Sequence, residues 1–150
     1  MTASIRTGTA EDVEPCVQLW SRVIAARDGA DVLGEVTQHV RAAFAQPILR
    51  FAAVGSPPQA FALTLAKEHG LAHLSRICVD PAVTSRGLGT ALLADAIRSA
   101  RIERFTRMTL DVRETNTRAI GVYSRAGFAA VSEPWDYDGR DPMTTWSLAL

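Results

Sequence analysis

Leu74-Ser75-Arg76-Ile77-Cys78-Val79-Asp80-Pro81, followed a few residues later by Arg86-Gly87-Leu88-Gly89-Thr90-Ala91, decides how the chain is read. The first stretch closes an apolar-rich run from Leu71 to Val79, and Asp80-Pro81 stops it as a strand is stopped. The second opens a segment in which Leu88, Leu92, Leu93, Ala96, Ile97 and Ala100 recur at helical spacing. A strand therefore feeds a glycine turn that opens a helix. The first backbone N–H groups of a helix have no intrahelical acceptor, and with the helix dipole they attract an anion, usually phosphate. Gly87 and Gly89 remove the side chains that would hold a phosphate off the backbone, and Arg86 adds a guanidinium at the same end. A Walker A loop is excluded, because Gly89 is followed by Thr90-Ala91 and supplies no lysine. A dinucleotide fingerprint needs a third glycine, and Leu92 stands there. Taken alone, the turn leaves open a tight connection that binds nothing.

Outward from this stretch the rest of the sheet falls into place. Upstream, Ala3 to Thr7 alternates as a first strand, and Thr9 with Asp12 three residues on reads as a helix start. Val13, Val17, Trp20, Val23 and Ile24 continue that helix, and a second runs from about Asp31 to Ala45 before Pro47. Ile48 to Val54, Gln59 to Lys67 and Leu71 to Val79 are three strands joined by glycine-containing turns, an antiparallel meander. Downstream, Met108 to Val112 is a strand, Asn116 to Arg125 a helix, Phe128 to Ser132 a strand and Met143 to Leu150 the last strand. Elements that run strand-rich first and βαβα-like later predict a single α/β domain over residues 1–150, built on a mixed sheet.

Composition narrows the function. The 150 residues are 47% hydrophobic and 21% charged, which suits one globular domain. Sixteen basic residues balance sixteen acidic ones, so a nucleic-acid partner held by phosphate contacts is not expected. No apolar run reaches membrane-spanning length, and the Met1-Thr2-Ala3-Ser4-Ile5-Arg6 start is too polar for a signal peptide. Cys16 and Cys78 lie far apart, and the three histidines form no metal-ligand spacing. The expectation is a cytoplasmic protein without disulfide, metal or membrane.

A second element decides between a binding turn and an empty one. Asn116 and Tyr123, seven residues apart, share one helical face, and Ala126-Gly127-Phe128 follows. Here the chain resembles the GNAT superfamily of acyl-CoA-dependent N-acetyltransferases. Thr84-Ser85-Arg86-Gly87-Leu88-Gly89 matches both glycines of that family's Q/R-x-x-G-x-G/A loop and departs from it at Thr84. Asn116, Ala119, Tyr123, Gly127 and Phe128 match its N-x-x-A-x-x-x-Y-x-x-x-G-F signature.

The resemblance implies a central, mostly antiparallel sheet of six to seven strands, helices on both faces, and a cleft where the fourth and fifth strands splay. It implies acetyl-CoA as co-substrate, with its pantetheine arm along the backbone of Ile77, Cys78 and Val79. Arg86, Gly87, Leu88, Gly89 and Thr90 would hold the pyrophosphate, and Asn116 would bond the arm or cap its helix. An N–H at Val79 would polarise the thioester carbonyl as the tetrahedral intermediate forms. Tyr123 would protonate the departing thiolate, the alternative being a packed core tyrosine.

An ammonium acceptor must also lose a proton. His73, in Ala72-His73-Leu74-Ser75, is the candidate base, with Ser75 holding a shared water; a packing role for His73 stays open. The equivalent of another branch's glutamate falls at Leu71, which cannot serve, and Glu68 lies in the preceding turn. The acceptor pocket would draw on Trp20, Arg27, Phe44, Trp135, Asp136, Tyr137 and Asp138. Glu133, Asp136, Asp138 and Asp141 would make its mouth acidic, unless that loop is simply solvated. The implied reaction is acetyl transfer to a primary amine on a small molecule or peptide. An acyl-CoA sensor without catalysis is the alternative, and a homodimer agrees with the family habit.

Overall fold

Asp12 ties the first strand to the first helix in the computed structural model, which describes residues 4–83, 87–136 and 139–150. Its carboxylate accepts the Thr9 backbone N–H at 2.8 Å and two Arg6 N–H groups at 2.7 and 2.9 Å. Those charge-assisted bonds hold the carboxyl well below the usual range. The junction joins β1 (Ile5–Thr7) to α1 (Ala10–Asp28). A 3-10 turn at Ala30–Val32 and then α2 (Leu33–Phe44) replace the single helix read over residues 31–45. Gly29, at φ +104°, breaks the helical path between α1 and that turn.

The antiparallel meander follows as β2 (Ile48–Val54), β3 (Ala60–Ala66) and β4 (Leu71–Val79). Then come α3 (Leu88–Ile102), β5 (Arg107–Arg113), α4 (Thr117–Ala126), β6 (Ala129–Ala130) and β7 (Met143–Ala149). The seven strands lie in the order β1-β2-β3-β4-β5-β7-β6. β4 and β5 run parallel, and the other described pairings are antiparallel. This is the mixed, mostly antiparallel sheet expected from the sequence. β6 is much shorter than the strand read over residues 128–132. After Ala130, the Val131 N–H still bonds the Thr145 carbonyl at 2.8 Å, but the Ser132 hydroxyl takes the Thr145 N–H at 2.9 Å, so a side chain replaces half of the next rung.

Alternation along the strands sends side chains into two cores. Ala52, Ala62, Ala72 and Leu74 pack beneath α3 and α4. Phe51, Phe61, Leu63 and Leu65 pack beneath α1 and α2. Helices thus cover both faces, as expected. Among the described residues, no helix is long and apolar enough to cross a membrane.

One ion pair locks α1 to the sheet. Arg113, at the end of β5, grips Asp28 with two hydrogen bonds of 2.5 and 2.6 Å, and both side chains are about nine-tenths buried. The guanidinium also sits at the C-terminal end of α1, where the helix dipole favours a cation. Asp28→Ala removes both of these hydrogen bonds from the buried Arg113 guanidinium. We expect this variant to lose about 3 kcal/mol of unfolding free energy, read by urea titration.

Candidate active site

The site begins with a flaw in the β3–β4 ladder. Arg76 pairs with Leu63, but Leu74 pairs with Thr64, so Ser75 is one residue too many on β4. Such a bulge bends its strand and raises its twist. Beyond it β4 leaves β5: the two pair only at Leu71–Arg107, Ala72–Met108 and His73–Thr109. From there to Val79 a cleft opens between them.

The bulge also sets what faces the cleft. In an antiparallel ladder, alternate residues turn their backbone groups toward the same neighbour. The Asp80 N–H bonds the Gln59 carbonyl at 2.8 Å, and the Gly8 N–H bonds the Phe51 carbonyl at 2.8 Å. Carried through the register, both phases direct Arg76 and Cys78 at β3 and leave the N–H and C=O of Ile77 and Val79 on the open edge. These are two of the backbone positions singled out in the sequence.

Two lobes meet at that edge. One, of about 300 Å³, is lined by Gly87, Leu88, Gly89 and Thr90 on one side and by Arg118, Ala119 and Val122 of α4 on the other. The other, of about 340 Å³, reaches past His73 and Asp111 to Trp20 and Arg27 of α1 and to Trp135. Ile77, Cys78, Val79, Asn116 and Tyr123 line both. Gly87 takes the left-handed φ of +68°, and a Cβ built on Gly89 meets nothing within 4 Å. The start of α3 is therefore open backbone facing a lobe. Leu88 keeps its side chain in the core, so only its backbone faces that lobe. Arg86 lies outside the described residues.

Tyr123 is both core and cleft. It is 7% exposed and packs edge-on against Phe128, with ring centroids 6.0 Å apart. Burial pushes its phenol up to about 12. Asn116 caps α4, its Oδ1 accepting the Ala119 N–H at 3.3 Å. Cys78 turns its thiol into the α1–α2 core, where burial raises it to about 12 and keeps it protonated.

His73 projects on the α1 side of the sheet. Its Nδ1 lies 2.9 Å from Thr109 Oγ1, and its Nε2 lies 3.8 Å from Asp111 Oδ2. Burial lowers its pKa below the ordinary imidazole value; Asp111 opposes that, while Lys67 and Arg76 reinforce it. Ser75 lines the same lobe as His73, its hydroxyl accepting Arg76 Nη1 at 2.9 Å, and the hydroxyl bonded directly to His73 is that of Thr109.

The acceptor-side expectations divide. Trp20, Arg27 and Trp135 line the second lobe. Phe44 does not; it packs against Phe51 and Phe61, with centroids 5.0 and 6.1 Å away. Tyr137 and Asp138 lie outside the described residues. Of the expected acidic mouth, Glu133, Asp136 and Asp141 are not among the described residues lining the lobe, and Asp138 lies outside the described residues. Asp136 takes the Gly139 N–H, and Asp141 takes the Thr115 hydroxyl. Among the described lining residues Asp111 is the only carboxylate, beside Arg27, Arg76, Arg113 and Arg140. Sequence reasoning missed Asp111. The available signal was Thr109, Asp111 and Arg113 alternating with Met108, Leu110 and Val112, a polar face on a strand that is otherwise core.

A splayed β4–β5 edge above an open helix start matches a known family. Residues 21–128 fit the model of the acetyltransferase (GNAT) family. The chain belongs to this family. The peptidyl-lysine N-acetyltransferase YjaB of Escherichia coli (strain K12) is 28% identical over 152 residues, covering 99% of this chain and 97% of that protein. The crystal structure of the ribosomal-protein-S18-alanine N-acetyltransferase from Escherichia coli shares the fold with a TM-score of 0.71, at 22% identity, over 99% of this chain and 94% of that one. That of the PaiA N-acetyltransferase from Thermoplasma acidophilum, in complex with coenzyme A, does so with a TM-score of 0.65, at 21% identity, over 97% and 98%. Membership of the GNAT family makes this protein an N-acetyltransferase working with acetyl-CoA. The reading as a sensor without catalysis is thereby set aside.

Proposed function

We propose that this GNAT enzyme transfers acetyl directly from acetyl-CoA to a primary amine held in the second lobe. The observation that carries the reading is the meeting of two lobes at the Ile77–Val79 edge and Tyr123. One lobe suits the donor. Backbone N–H groups at the start of α3, from Gly87 to Thr90, receive the pyrophosphate, and Arg86, the preceding residue in the sequence, supplies a positive charge. Ile77 and Val79 offer strand-like hydrogen bonds to the amide-containing arm, and Asn116 lies along the same path while capping α4. The other lobe suits the acceptor.

At the junction, the Val79 N–H stabilises the oxyanion that develops on the thioester carbonyl. Tyr123, protonated at neutral pH, donates a hydrogen bond to the departing thiolate. His73, with its pKa lowered, is neutral and able to accept the ammonium's proton. Direct transfer is favoured over an acetylated enzyme because Cys78, the one thiol beside the edge among the described residues, is turned away and held protonated. The curated relative at 28% identity is a peptidyl-lysine N-acetyltransferase, which supports a peptide amine here, although a more distant structural neighbour is named for nourseothricin.

Two-substrate initial-rate kinetics test the reading. Intersecting double-reciprocal lines are expected; parallel lines indicate a covalent intermediate and defeat it. A second expectation concerns the donor lobe. Gly89→Val fills open space, so the melting temperature holds while calorimetric affinity for acetyl-CoA falls roughly tenfold or more through lost backbone–phosphate bonds. Unchanged affinity in the folded variant moves the phosphate site elsewhere.

A further inference from the structure

The acceptor lobe carries an arrangement that the proposed reaction has not yet used. Three neighbouring strands place His73, Thr109, Asp111 and Thr145 on one sheet face. His73 is opposite Thr109 in the β4–β5 register, and Asp111 is opposite Thr145 in the β5–β7 register. Each of the two groups that face the lobe is fixed from behind. Thr109 holds His73 Nδ1 at 2.9 Å, which leaves Nε2 pointing forward. The Thr145 hydroxyl donates to Asp111 Oδ1 at 2.7 Å, which leaves Oδ2 forward. Trp135 Nε1 in turn donates to the Thr145 hydroxyl at 3.3 Å.

The two forward atoms are 3.8 Å apart, too far to bond each other. A nitrogen placed between them reaches both at roughly 2.9 Å, an ordinary hydrogen-bond length. The side chains are 25% and 31% exposed, open to a ligand but not bathed in water. Asp111 is also the only carboxylate among the described residues lining this lobe. In a lobe otherwise rich in arginine, it is the one place among the described residues where an ammonium finds an opposite charge.

We propose that Asp111 is the anchor for the acceptor's ammonium, which it holds against His73 Nε2 for deprotonation. This rests on the acetyl-transfer reading above. The ammonium donates one N–H to Asp111 Oδ2 and one to His73 Nε2. His73 takes the second proton, and Asp111 then faces an imidazolium, which it stabilises. Rotation about the C–N bond turns the freed lone pair toward the Ile77–Val79 edge. The N–C bond forms as the carbonyl π pair moves onto oxygen, and the C–S bond breaks when that tetrahedral oxyanion collapses. One of the two remaining N–H protons passes to the thiolate, which leaves as free thiol, the other stays on the amide nitrogen, and His73 returns its proton to solvent. One carboxylate compensates one ammonium, so monoamines and single lysine or N-terminal amines are preferred over polyamines.

The test uses the whole protein with Asp111→Asn, which keeps the shape and removes the charge. KM for the amine rises roughly ten- to a hundredfold, the loss of a hydrogen bond between two charges. Calorimetric affinity for acetyl-CoA stays within about twofold. The acidic limb of kcat/KM moves to lower pH, because Asp111 is the group that raises the His73 pKa. Lys67 of the β3–β4 turn, Arg76 and Cys78 of β4, Arg113 of β5, Arg27 of α1, His39 of α2, Tyr123 of α4 and Arg140 before β7 are the other charged or titratable groups around this lobe among the described residues, and they are the same in both proteins. An unchanged KM for the amine, or an equal loss of acetyl-CoA affinity, overturns the proposal.

A second measurement needs no turnover. Methylammonium chloride shifts the His73 imidazole C–H signal in the NMR spectrum of the wild type and leaves it unmoved in Asp111→Asn, with sodium chloride as control. The same shift in both proteins refutes the anchor. If the wild type acetylates no amine, the reaction reading falls, and the methylammonium titration still decides for or against Asp111.

Discussion

Tyr123→Phe lowers kcat about a hundredfold and leaves KM for acetyl-CoA within about twofold, because the lost group acts only as the thiolate departs. Phenylalanine fills the same buried place against Phe128, so the fold is kept. The phenol's high pKa of about 12 shapes its role. A free thiol has a pKa near 8.5, so full proton transfer from the phenol runs uphill by roughly 5 kcal/mol. Tyr123 therefore works mainly by lending its O–H to the charge that develops on sulfur. The pH profile carries the same signature. With the phenol's pKa pushed up to about 12, Tyr123 adds no alkaline limb to kcat near neutral pH. Single-turnover rates of the two proteins across pH check both points. An unchanged kcat with chemistry rate-limiting returns Tyr123 to core packing.

His73→Ala removes the acidic limb of kcat/KM and slows transfer about a hundredfold on the plateau. The sign follows from the base role. Only neutral His73 accepts a proton, so activity rises with pH through its pKa and is lost below it. Burial places that pKa below the ordinary imidazole value near 6.5, with Asp111 holding it partly up. The limb thus falls lower than an unperturbed histidine would give. The acceptor amine titrates as well, so wild type and variant are compared with one amine throughout. Profiles of equal shape and height leave His73 a packing residue hydrogen-bonded to Thr109.

Local chemistry made much of this molecule legible. Gly87 and Gly89 before an apolar helical stripe marked the start of α3, and Asp80-Pro81 marked the end of β4. Asn116 through Phe128 showed a capped helix closed by a glycine, now at φ +104° in its left-handed cap. The parts that stayed hidden depend on register. Strict alternation puts His73, Ser75, Ile77 and Val79 on one face; the extra residue at Ser75 reverses the phase. Ile77 and Val79 then pack toward α3 and α4, while Arg76 stacks over Trp20, 5.2 Å from its ring centroid. Asp111 could not be paired with His73 before the β4–β5 register was known. Phe44 looked like a pocket residue by its place at the end of α2, and the aromatic cluster claimed it instead. The acidic loop read as a mouth because composition counts charges and does not show where each carboxylate sits; Glu133, Asp136 and Asp141 are not among the described residues lining the lobe.

The most direct test of direct transfer across the junction is simultaneous measurement of free thiol and amide in one reaction of the purified protein with acetyl-CoA. Without amine, no thiol above the uncatalysed background is expected, and the chain stays unacetylated. With a lysine peptide or a small monoamine, thiol and amide appear together in equal amounts. Thiol released before any amine is added, with acetyl left on the chain, or thiol released with no amide formed, contradicts the account.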